Sequence, residues 1–231
     1  MTRAEILAWI ERHGSRRNVE GMARYGIRSK ARLFGVSVTT LRVLAKRLGK
    51  DHQLSAALWE SDCYEARMLA AFVDDPALVT RRQMNAWAAD FDNWAICDTV
   101  CFHLFDRTAF AWEKARQWSH SRREFVKRAS FALMASLAAH DKAASDAPFL
   151  AMLPLIEEGA RDERPLVKKG ASWALRTIGQ RSLALHAAAL RVAGRLARSE
   201  EAPARWVGKD ARNELASAKV RARLARRTRR R

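Results

Sequence analysis

The sequence predicts an all-α fold, and three observations carry that prediction. Alanine, the residue that most favours helices, occurs 43 times in 231 residues, whereas glycine and proline occur only 10 and 5 times. Apolar residues recur three and four positions apart along most of the chain, with little of the alternation that is typical of strands. Hydrophobic residues form 48% of the chain and charged residues 29%, so the chain is expected to be globular.

The individual helices follow from their start and stop signals. Thr2 and Glu5 have the spacing of a capping box, which starts a first helix that ends near Gly14. A loop-rich stretch over residues 25–37 leads into a helix over residues 39–48, which Gly49 ends. Further helices are predicted over residues 52–60, 65–73, 80–89, 94–105, 110–118, 124–139, 148–158, 165–178, 182–198 and 203–224.

A weak internal repeat recurs in the second half of the chain. Segments that begin at Phe125, Leu166 and Trp206 are 41 and 40 residues apart, and each opens a helix with an apolar pair followed by basic and small residues. A period of about 40 residues with paired helices is the size of a HEAT or armadillo repeat. Such units stack into an α-solenoid with a long concave binding surface. Chance similarity between alanine-rich helices is the alternative, and the nearly constant spacing favours the repeat.

The net charge predicts a polyanionic partner. Lysine and arginine number 43 against 25 acidic residues, which gives a formal net charge of +18. Such a field attracts nucleic acid by neutralising phosphates and releasing counterions. Residues 215–231 contain eight of the basic residues and no acid. We therefore expect one repeat domain over residues 1–218 and a basic, disordered tail over residues 219–231. A tail that serves only solubility or general attraction to anions is the plainer interpretation.

Several protein classes are excluded. No apolar run approaches the roughly 18 residues of a membrane span, and charges interrupt the N-terminus too early for a signal peptide. Cys63, Cys97 and Cys101 form no metal-type pairing and suit a reducing, cytoplasmic location. The common phosphate-loop, dinucleotide, hydrolase and zinc-protease motifs are absent. We expect no cofactor and no metal, and we interpret Cys97 and Cys101 as buried core thiols.

One carboxylate stands out among the apolar residues. Trp94, Asp98, Cys101 and Phe105 form a single stripe at helical spacing, so an acid interrupts an otherwise apolar face beside a large aromatic ring. An unpaired buried charge is costly, so Asp98 must be paired or must lie at the edge of a cleft. A structural hydrogen bond or salt bridge to the next helix is the alternative to a catalytic role.

Basic residues of the repeat helices predict a DNA-binding groove. Arg128 and Trp173 occupy successive repeats beside cations, and tryptophan can contact sugars and bases while cations hold phosphates. A buried core position is the alternative for Trp173, and a Schiff-base lyase role is a less favoured alternative for the two adjacent lysines. The residues predicted to bind the DNA backbone are Lys127, Lys168, Lys169, Arg176 and Lys209.

Four segments, taken in order, resemble the DNA alkylation repair enzymes, the AlkD-like DNA glycosylases built from HEAT-like repeats. The resemblance covers roughly residues 25–214. It rests on Phe34-Gly35-Val36-Ser37-Val38-Thr39-Thr40-Leu41-Arg42, Asp92-Asn93-Trp94-x-x-Cys97-Asp98, Val126-Lys127-Arg128-Ala129 and Lys169-Gly170-Ala171-Ser172-Trp173-Ala174-Leu175-Arg176.

The resemblance implies a role for each matching residue. Asp98 corresponds to the catalytic carboxylate, and Trp94 and Trp173 pack round the deoxyribose of the lesion. Arg128 resembles the family's arginine that contacts the DNA backbone at the lesion. Many members carry a second acid directly after the first tryptophan, where this chain has Ala95. The resemblance also implies that the damaged base need not enter a protein pocket.

The resulting prediction is a monomeric DNA glycosylase that acts on duplex DNA. It is expected to hydrolyse the N-glycosidic bond of positively charged alkylpurines, of the 3-methyladenine and 7-methylguanine type, without cutting the strand. Two alternatives remain open at this point. One is a non-catalytic HEAT-repeat protein that binds DNA structures, and the other is a protein-interaction scaffold whose basic tail alone meets nucleic acid.

Overall fold

The structure, a computed structural model, describes residues 1–228, and helices joined by loops make up most of this range. Fourteen α-helices and one short 3-10 helix occur in that range, and its β structure amounts to an isolated bridge between Arg32 and Cys63. The predicted all-α fold class is confirmed. No helix among these residues is both long and apolar enough to span a bilayer.

The chain forms two compact units. Unit 1 comprises Met1–Phe110 and unit 2 comprises Ala111–Arg231. The helices of unit 1 are α1 (Arg3–Arg12), α2 (Arg16–Arg24), α3 (Val38–Leu48), α4 (His52–Trp59), α5 (Tyr64–Val73), α6 (Arg81–Asp90) and α7 (Trp94–His103), followed by the 3-10 helix Phe105–Arg107.

Helix α5 is the centre of unit 1. Eight of its ten residues are buried, and it packs against α1, α3, α4 and α7.

Helix α2 is the opposite case, because none of its residues is buried. The sequence did not predict this helix, although Ser15 caps it by accepting a hydrogen bond from the N–H of Asn18. Its apolar residues are few and lie among arginines, so periodicity alone did not reveal it.

Unit 2 consists of regularly spaced helices. They are α8 (Ala111–Trp118), α9 (Glu124–His140), α10 (Ala147–Gly159), α11 (Pro165–Ile178), α12 (Leu183–Ala197), α13 (Ala202–Leu215) and α14 (Ala218–Thr228). Helices α9, α11 and α13 pack in series, and α10 and α12 pack against each other and against α11.

Contacts between successive helices of unit 2 repeat with a constant offset. The hydroxyl of Ser172 on α11 donates to Asp210 on α13 over a distance of 2.5 Å, and these residues are 38 positions apart. The guanidinium of Arg195 on α12 pairs with Glu157 on α10, with an N–O distance of 2.6 Å and the same offset. This offset of 38 residues is close to the predicted repeat of 40–41 residues, and the repeat segments at residues 125, 166 and 206 lie in the N-terminal halves of α9, α11 and α13.

The C-terminal part of the chain differs from the expected long helix and disordered tail. The helix predicted over residues 203–224 is two helices, because the chain turns at Ala216 and Ser217, and the Ser217 hydroxyl accepts the N–H of Val220. Helix α14 follows, with Val220 and Leu224 buried one turn apart. This apolar pair lets the basic segment pack on α13 as a helix through Thr228. The last three positions of the predicted tail, 229–231, lie outside the described residues.

Candidate functional site

Unit 1 contains an open cavity of about 600 Å³ that is lined by α2, α3, α5, α7 and the loop over residues 25–37. The sequence predicted neither this cavity nor the helix that forms one of its sides. Its lining includes aromatic side chains, thioethers and aliphatic groups, with charged side chains at a few positions. The lining residues most relevant to chemistry are Arg17, Arg24, Tyr25, Tyr64, Trp94 and Asp98.

The Asp-Asn-Trp motif builds the start of α7 and attaches the loop to it. A carboxylate oxygen of Asp92 accepts the hydroxyl of Ser29 at 2.8 Å and the N–H of Lys30 at 2.6 Å. Asn93 caps α7, since its side-chain oxygen accepts the N–H groups of Ala95 and Ile96, each at 3.1 Å. Most of the motif that carries the family resemblance is therefore architectural.

Trp94 and Asp98 are brought together on one face of α7. The indole Nε1 of Trp94 donates to the backbone oxygen of Tyr25 at 3.1 Å, which ties the end of α2 to the start of α7. Asp98 lies one helical turn further on, and both side chains are half-buried and line the cavity. A carboxylate beside an apolar cavity stabilises positive charge that develops there, because water does not screen it as in bulk solvent.

A buried carboxylate on α5 holds the loop that forms part of the cavity wall. Glu65 on α5 is fully buried and accepts the N–H groups of Phe34 and Gly35, the latter at 2.6 Å. Burial raises the pKa of Glu65, and the backbone N–H groups of Gly35 and Phe34 oppose that shift. Gly35 has a φ of 83°, and a Cβ there would lie 2.2 Å from the backbone oxygen of Ser15. The loop therefore requires glycine at this position.

The cysteines on α7 are buried, as the sequence interpretation expected. Cys97 and Cys101 are free thiols with no exposed surface. Burial raises the pKa of Cys101 well above its usual value, with Cys97 and Asp98 adding to that effect. Burial likewise raises the pKa of the Tyr64 phenol, so both groups stay neutral. Among residues 1–228 no cluster of His, Cys, Asp and Glu side chains is arranged to hold a metal ion.

Two of the predicted DNA-contacting residues are engaged in the packing of unit 2. Arg128 is only 7% exposed, and its Nη1 donates to the backbone oxygen of Leu166 at 2.6 Å. The ammonium of Lys127 lies 3.1 Å from a carboxylate oxygen of Asp162. The charges of Arg128 and Lys127 are evident from the sequence, whereas their partners within the protein became evident only from the structure.

Arg176 and Trp173 also lie within the helix packing of unit 2. The guanidinium of Arg176 hydrogen-bonds to Glu214 and lies 3.6 Å from Asp210, both on α13. Trp173, on α11, is half-buried. The Arg176 contacts place its charge opposite two acids, so that charge is largely balanced within the protein.

Three of the predicted lysines are more accessible, and one of them lies near an exposed tryptophan. Lys169 and Lys209 are exposed, and Lys168 is half-buried with its ammonium 5.6 Å from the ring centre of Trp206. Trp206 is 39% exposed at the start of α13. Trp206 was identified from the sequence only as a repeat position, although a tryptophan beside cations is the same signal that singled out Trp173. Cations next to an exposed indole form a surface suited to phosphates and bases.

Comparison with known proteins gives a consistent result. The family described as DNA alkylation repair enzyme matches residues 6–215. A solved structure is similar over 97% of this chain and 96% of its own, with a TM-score of 0.81 and 19% sequence identity. It is described as "A new family of proteins related to the HEAT-like repeat DNA glycosylases with affinity for branched DNA structures". This likeness confirms the predicted HEAT-like repeat fold. No curated protein matches the chain significantly.

Proposed function

Because this chain belongs to the family of DNA alkylation repair enzymes, we propose that it is a DNA glycosylase that excises positively charged alkylated purines from duplex DNA. The observation that carries the proposal is the position of Asp98, half-buried in the wall of the unit 1 cavity one turn after Trp94. A carboxylate held by a helix next to an indole matches the electrostatic needs of glycosidic bond cleavage in such lesions.

The chemistry requires little beyond charge stabilisation. A purine alkylated at N3 or N7 already carries a positive charge, so it leaves as a neutral base without an acid to protonate it. Breaking the C1′–N bond moves the positive charge to the deoxyribose, and Asp98 stabilises this developing oxocarbenium ion. Asp98 also positions the attacking water, whose oxygen bonds to C1′ and whose proton is released. The products are a free base and an abasic site in an intact strand.

Trp94 supports this reaction from the same helix. Its half-buried indole keeps bulk water away from the carboxylate, and a π face attracts the cationic sugar. Its hydrogen bond to Tyr25 fixes the ring, so the geometry is set before DNA arrives. The corresponding role for Trp173, on unit 2, stays a prediction, as do the backbone contacts of Arg128, Lys127 and Arg176.

The test is base release from methylated duplex DNA by the wild type and by Asp98→Asn. The substitution removes the charge and keeps the shape, so the rate should fall by about 10²–10³-fold, as for other preorganised electrostatic groups. Affinity for the lesion duplex should change little, since the carboxylate acts mainly in the transition state.

Glu20→Gln is the matched control. Glu20 is an exposed carboxylate on α2 that pairs with Arg16 and does not line the cavity, so its variant should release base at the wild-type rate. Equal rates for the wild type and Asp98→Asn would remove Asp98 from the catalytic role.

A non-catalytic DNA-structure-binding protein is the second candidate. The solved structure with the similar fold is described as having affinity for branched DNA. Ala95, where the family resemblance expects a second acid, is consistent with this alternative. The same assay separates the two candidates when binding to a four-way junction is measured beside it. Tight junction binding without base release by the wild type would favour the second candidate.

A further inference from the structure

Trp206, near the start of α13, differs from the other tryptophans of the chain. It is 39% exposed, whereas the other seven are buried or half-buried. The ammonium of Lys168 on α11 lies 5.6 Å from the centre of its ring. We infer that Trp206, with Lys168, Lys169 and Lys209, forms a binding site for an unpaired nucleotide of DNA. This site lies in unit 2 and goes beyond the proposed function, because it requires no base excision.

The repeat shows that Lys168 has a different neighbour from its counterpart in the preceding repeat. The repeat segments place Lys127 and Lys168 at equivalent positions, 41 residues apart. The ammonium of Lys127 lies 3.1 Å from a carboxylate oxygen of Asp162, so its charge is balanced within the protein. Lys168 lies beside the indole of Trp206 instead. The same sequence position therefore meets an acid in one repeat and an aromatic ring in the next.

The next position of the repeat shows a similar difference. Arg128 is only 7% exposed and donates to a backbone oxygen of α11, whereas its counterparts Lys169 and Lys209 are exposed. Within residues 1–228 neither of these lysines, nor Lys168, forms an ion pair with an acidic side chain. The helices that surround Trp206 therefore carry three positive charges that protein carboxylates do not balance.

The acids nearest to Trp206 along the chain have other partners. Asp210, one turn after Trp206, lies 3.6 Å from the guanidinium of Arg176. Glu201, the residue before α13, pairs with Arg161 at an N–O distance of 2.7 Å. Because each carboxylate is paired with an arginine, the positive charge of the three lysines remains to attract an anion.

An indole beside ammonium groups matches the two parts of an unpaired nucleotide. A base without a pairing partner exposes its flat face and stacks on an aromatic side chain. Its phosphate is attached through the sugar, so a base on Trp206 places a phosphate near Lys168, and the neighbouring phosphates meet Lys169 and Lys209. The bases of a regular duplex are stacked on one another. A duplex can therefore meet the lysines but offers no base to the indole.

The test replaces Trp206 by the residues that the repeat has at the equivalent positions, which are Phe125 on α9 and Leu166 on α11. Trp206→Leu keeps an apolar side chain without a ring, whereas Trp206→Phe keeps a ring on which a base can stack. Both are half-buried residues in their own helices, so both substitutions suit the fold.

Binding of the full-length protein to unmodified DNA is measured by fluorescence anisotropy. The single strand is a fluorescein-labelled oligothymidylate of about 12 nucleotides, and a labelled duplex of the same length is compared with it. Trp206→Leu should weaken single-strand binding about 10-fold and duplex binding less than about 2-fold, because only the single strand loses a stacked base. Trp206→Phe should bind the single strand within about 3-fold of the wild type.

The salt dependence separates the ring from the charges. Trp206→Leu removes no charge, so the slope of log affinity against log salt should stay unchanged for the single strand. Lys168→Gln should lower that slope by about 0.7. Leu150→Ala is the matched control, since Leu150 is a 42% exposed apolar residue on α10 of the same unit, and its variant should bind both DNA forms like the wild type.

Three results would overturn the inference. Unchanged single-strand affinity in Trp206→Leu would show that the indole binds no base. Equal weakening of single-strand and duplex binding would show that the indole contacts the backbone alone. Equal affinity of Trp206→Leu and Trp206→Phe for the single strand would exclude stacking. These measurements use undamaged DNA, so their outcome is independent of glycosylase activity.

Discussion

Unit 1 and unit 2 distribute charge in different ways. Unit 1 contains sixteen basic and thirteen acidic residues, whereas unit 2 contains twenty-seven and twelve. The carboxylate proposed for catalysis thus lies in the unit whose charges nearly balance. Most of the net positive charge that attracts a polyanion lies in the other unit. The proposed catalytic carboxylate and most of the net positive charge therefore lie in different units.

The two units also differ in what holds them together. Unit 1 depends on contacts that occur once, such as Glu65 with the backbone of Phe34 and Gly35. Unit 2 repeats similar ion pairs and hydrogen bonds between successive helices. The irregular elements of unit 1 also line the cavity described above. We therefore expect substitution at a contact that occurs once in unit 1 to cost more than substitution on an open helix face of unit 2.

The largest effect on stability is expected for Gly35→Ala in unit 1. The new Cβ would strain a residue at a φ of 83° and would lie 2.2 Å from the oxygen of Ser15. We expect a loss of about 3 kcal/mol or more from the free energy of unfolding, measured by urea denaturation.

The same glycine-to-alanine substitution at Gly194 in unit 2 is expected to have the opposite effect on stability. A Cβ on Gly194, inside α12, meets only the end of the Arg198 side chain at 3.9 Å. Gly194→Ala should therefore stabilise the protein by about 0.5–1 kcal/mol. A similar loss of stability in both variants would contradict the proposed difference between the units.

A smaller effect is expected for Asp162→Asn in unit 2. Asp162 accepts two hydrogen bonds from the guanidinium of Arg164, at 2.7 and 2.8 Å, and lies 3.1 Å from the ammonium of Lys127. Hydrogen bonding from Arg164 lowers the pKa of Asp162 to about 2, against burial that acts the other way. Losing the charge should cost about 1–2 kcal/mol at neutral pH.

The pH dependence of this variant follows from that pKa. An unfolded aspartate titrates near pH 3.9 and the folded one near 2, so the contribution is complete above about pH 4 and is lost as the pH falls towards 2. The unfolding free energies of wild type and Asp162→Asn, compared across this range, should converge at the acid end. Glu201→Gln, in the exposed pair with Arg161, should change stability by less than about 1 kcal/mol at any pH.

The smallest effect on stability, and a clear effect on binding, is expected for Lys169→Gln combined with Lys209→Gln. Both side chains are exposed, so folding should be unaffected. The slope of log affinity for duplex DNA against log salt should fall by about 2, because each lost phosphate contact removes about 0.9. Lys46→Gln with Arg47→Gln, exposed on α3 in unit 1 and away from the cavity, should leave the slope unchanged.

Substitution of the exposed α14 cations tests the scaffold alternative in the same assay. Glutamine in place of Lys219, Arg221 and Arg223 keeps Val220 and Leu224, which attach the helix. Complete loss of DNA binding would indicate that this segment alone meets nucleic acid.

Local sequence signals predicted most of the helices and the repeat of unit 2. Capping side chains such as Thr2 act on N–H groups three residues away, so they are visible without the fold. The repeat was visible because equivalent helices bury the same apolar positions, and Val126, Val167 and Val207 are all buried. The pairing of Trp94 with Asp98 was also local, since one turn of helix places them on the same face.

The sequence by itself therefore determined the helical class, the repeat period and the carboxylate beside an indole, because each depends on spacing along one helix. Only the tertiary structure decided which protein groups the charged side chains meet. The sequence did not show that Arg128 and Arg176 hydrogen-bond to Leu166 and Glu214, each 38 residues further along the chain. The DNA contacts expected of these two arginines stay predictions. The cavity likewise depends on α2, the loop, α3, α5 and α7 meeting in space. Distances between elements far apart in the chain follow from packing, which local patterns do not encode.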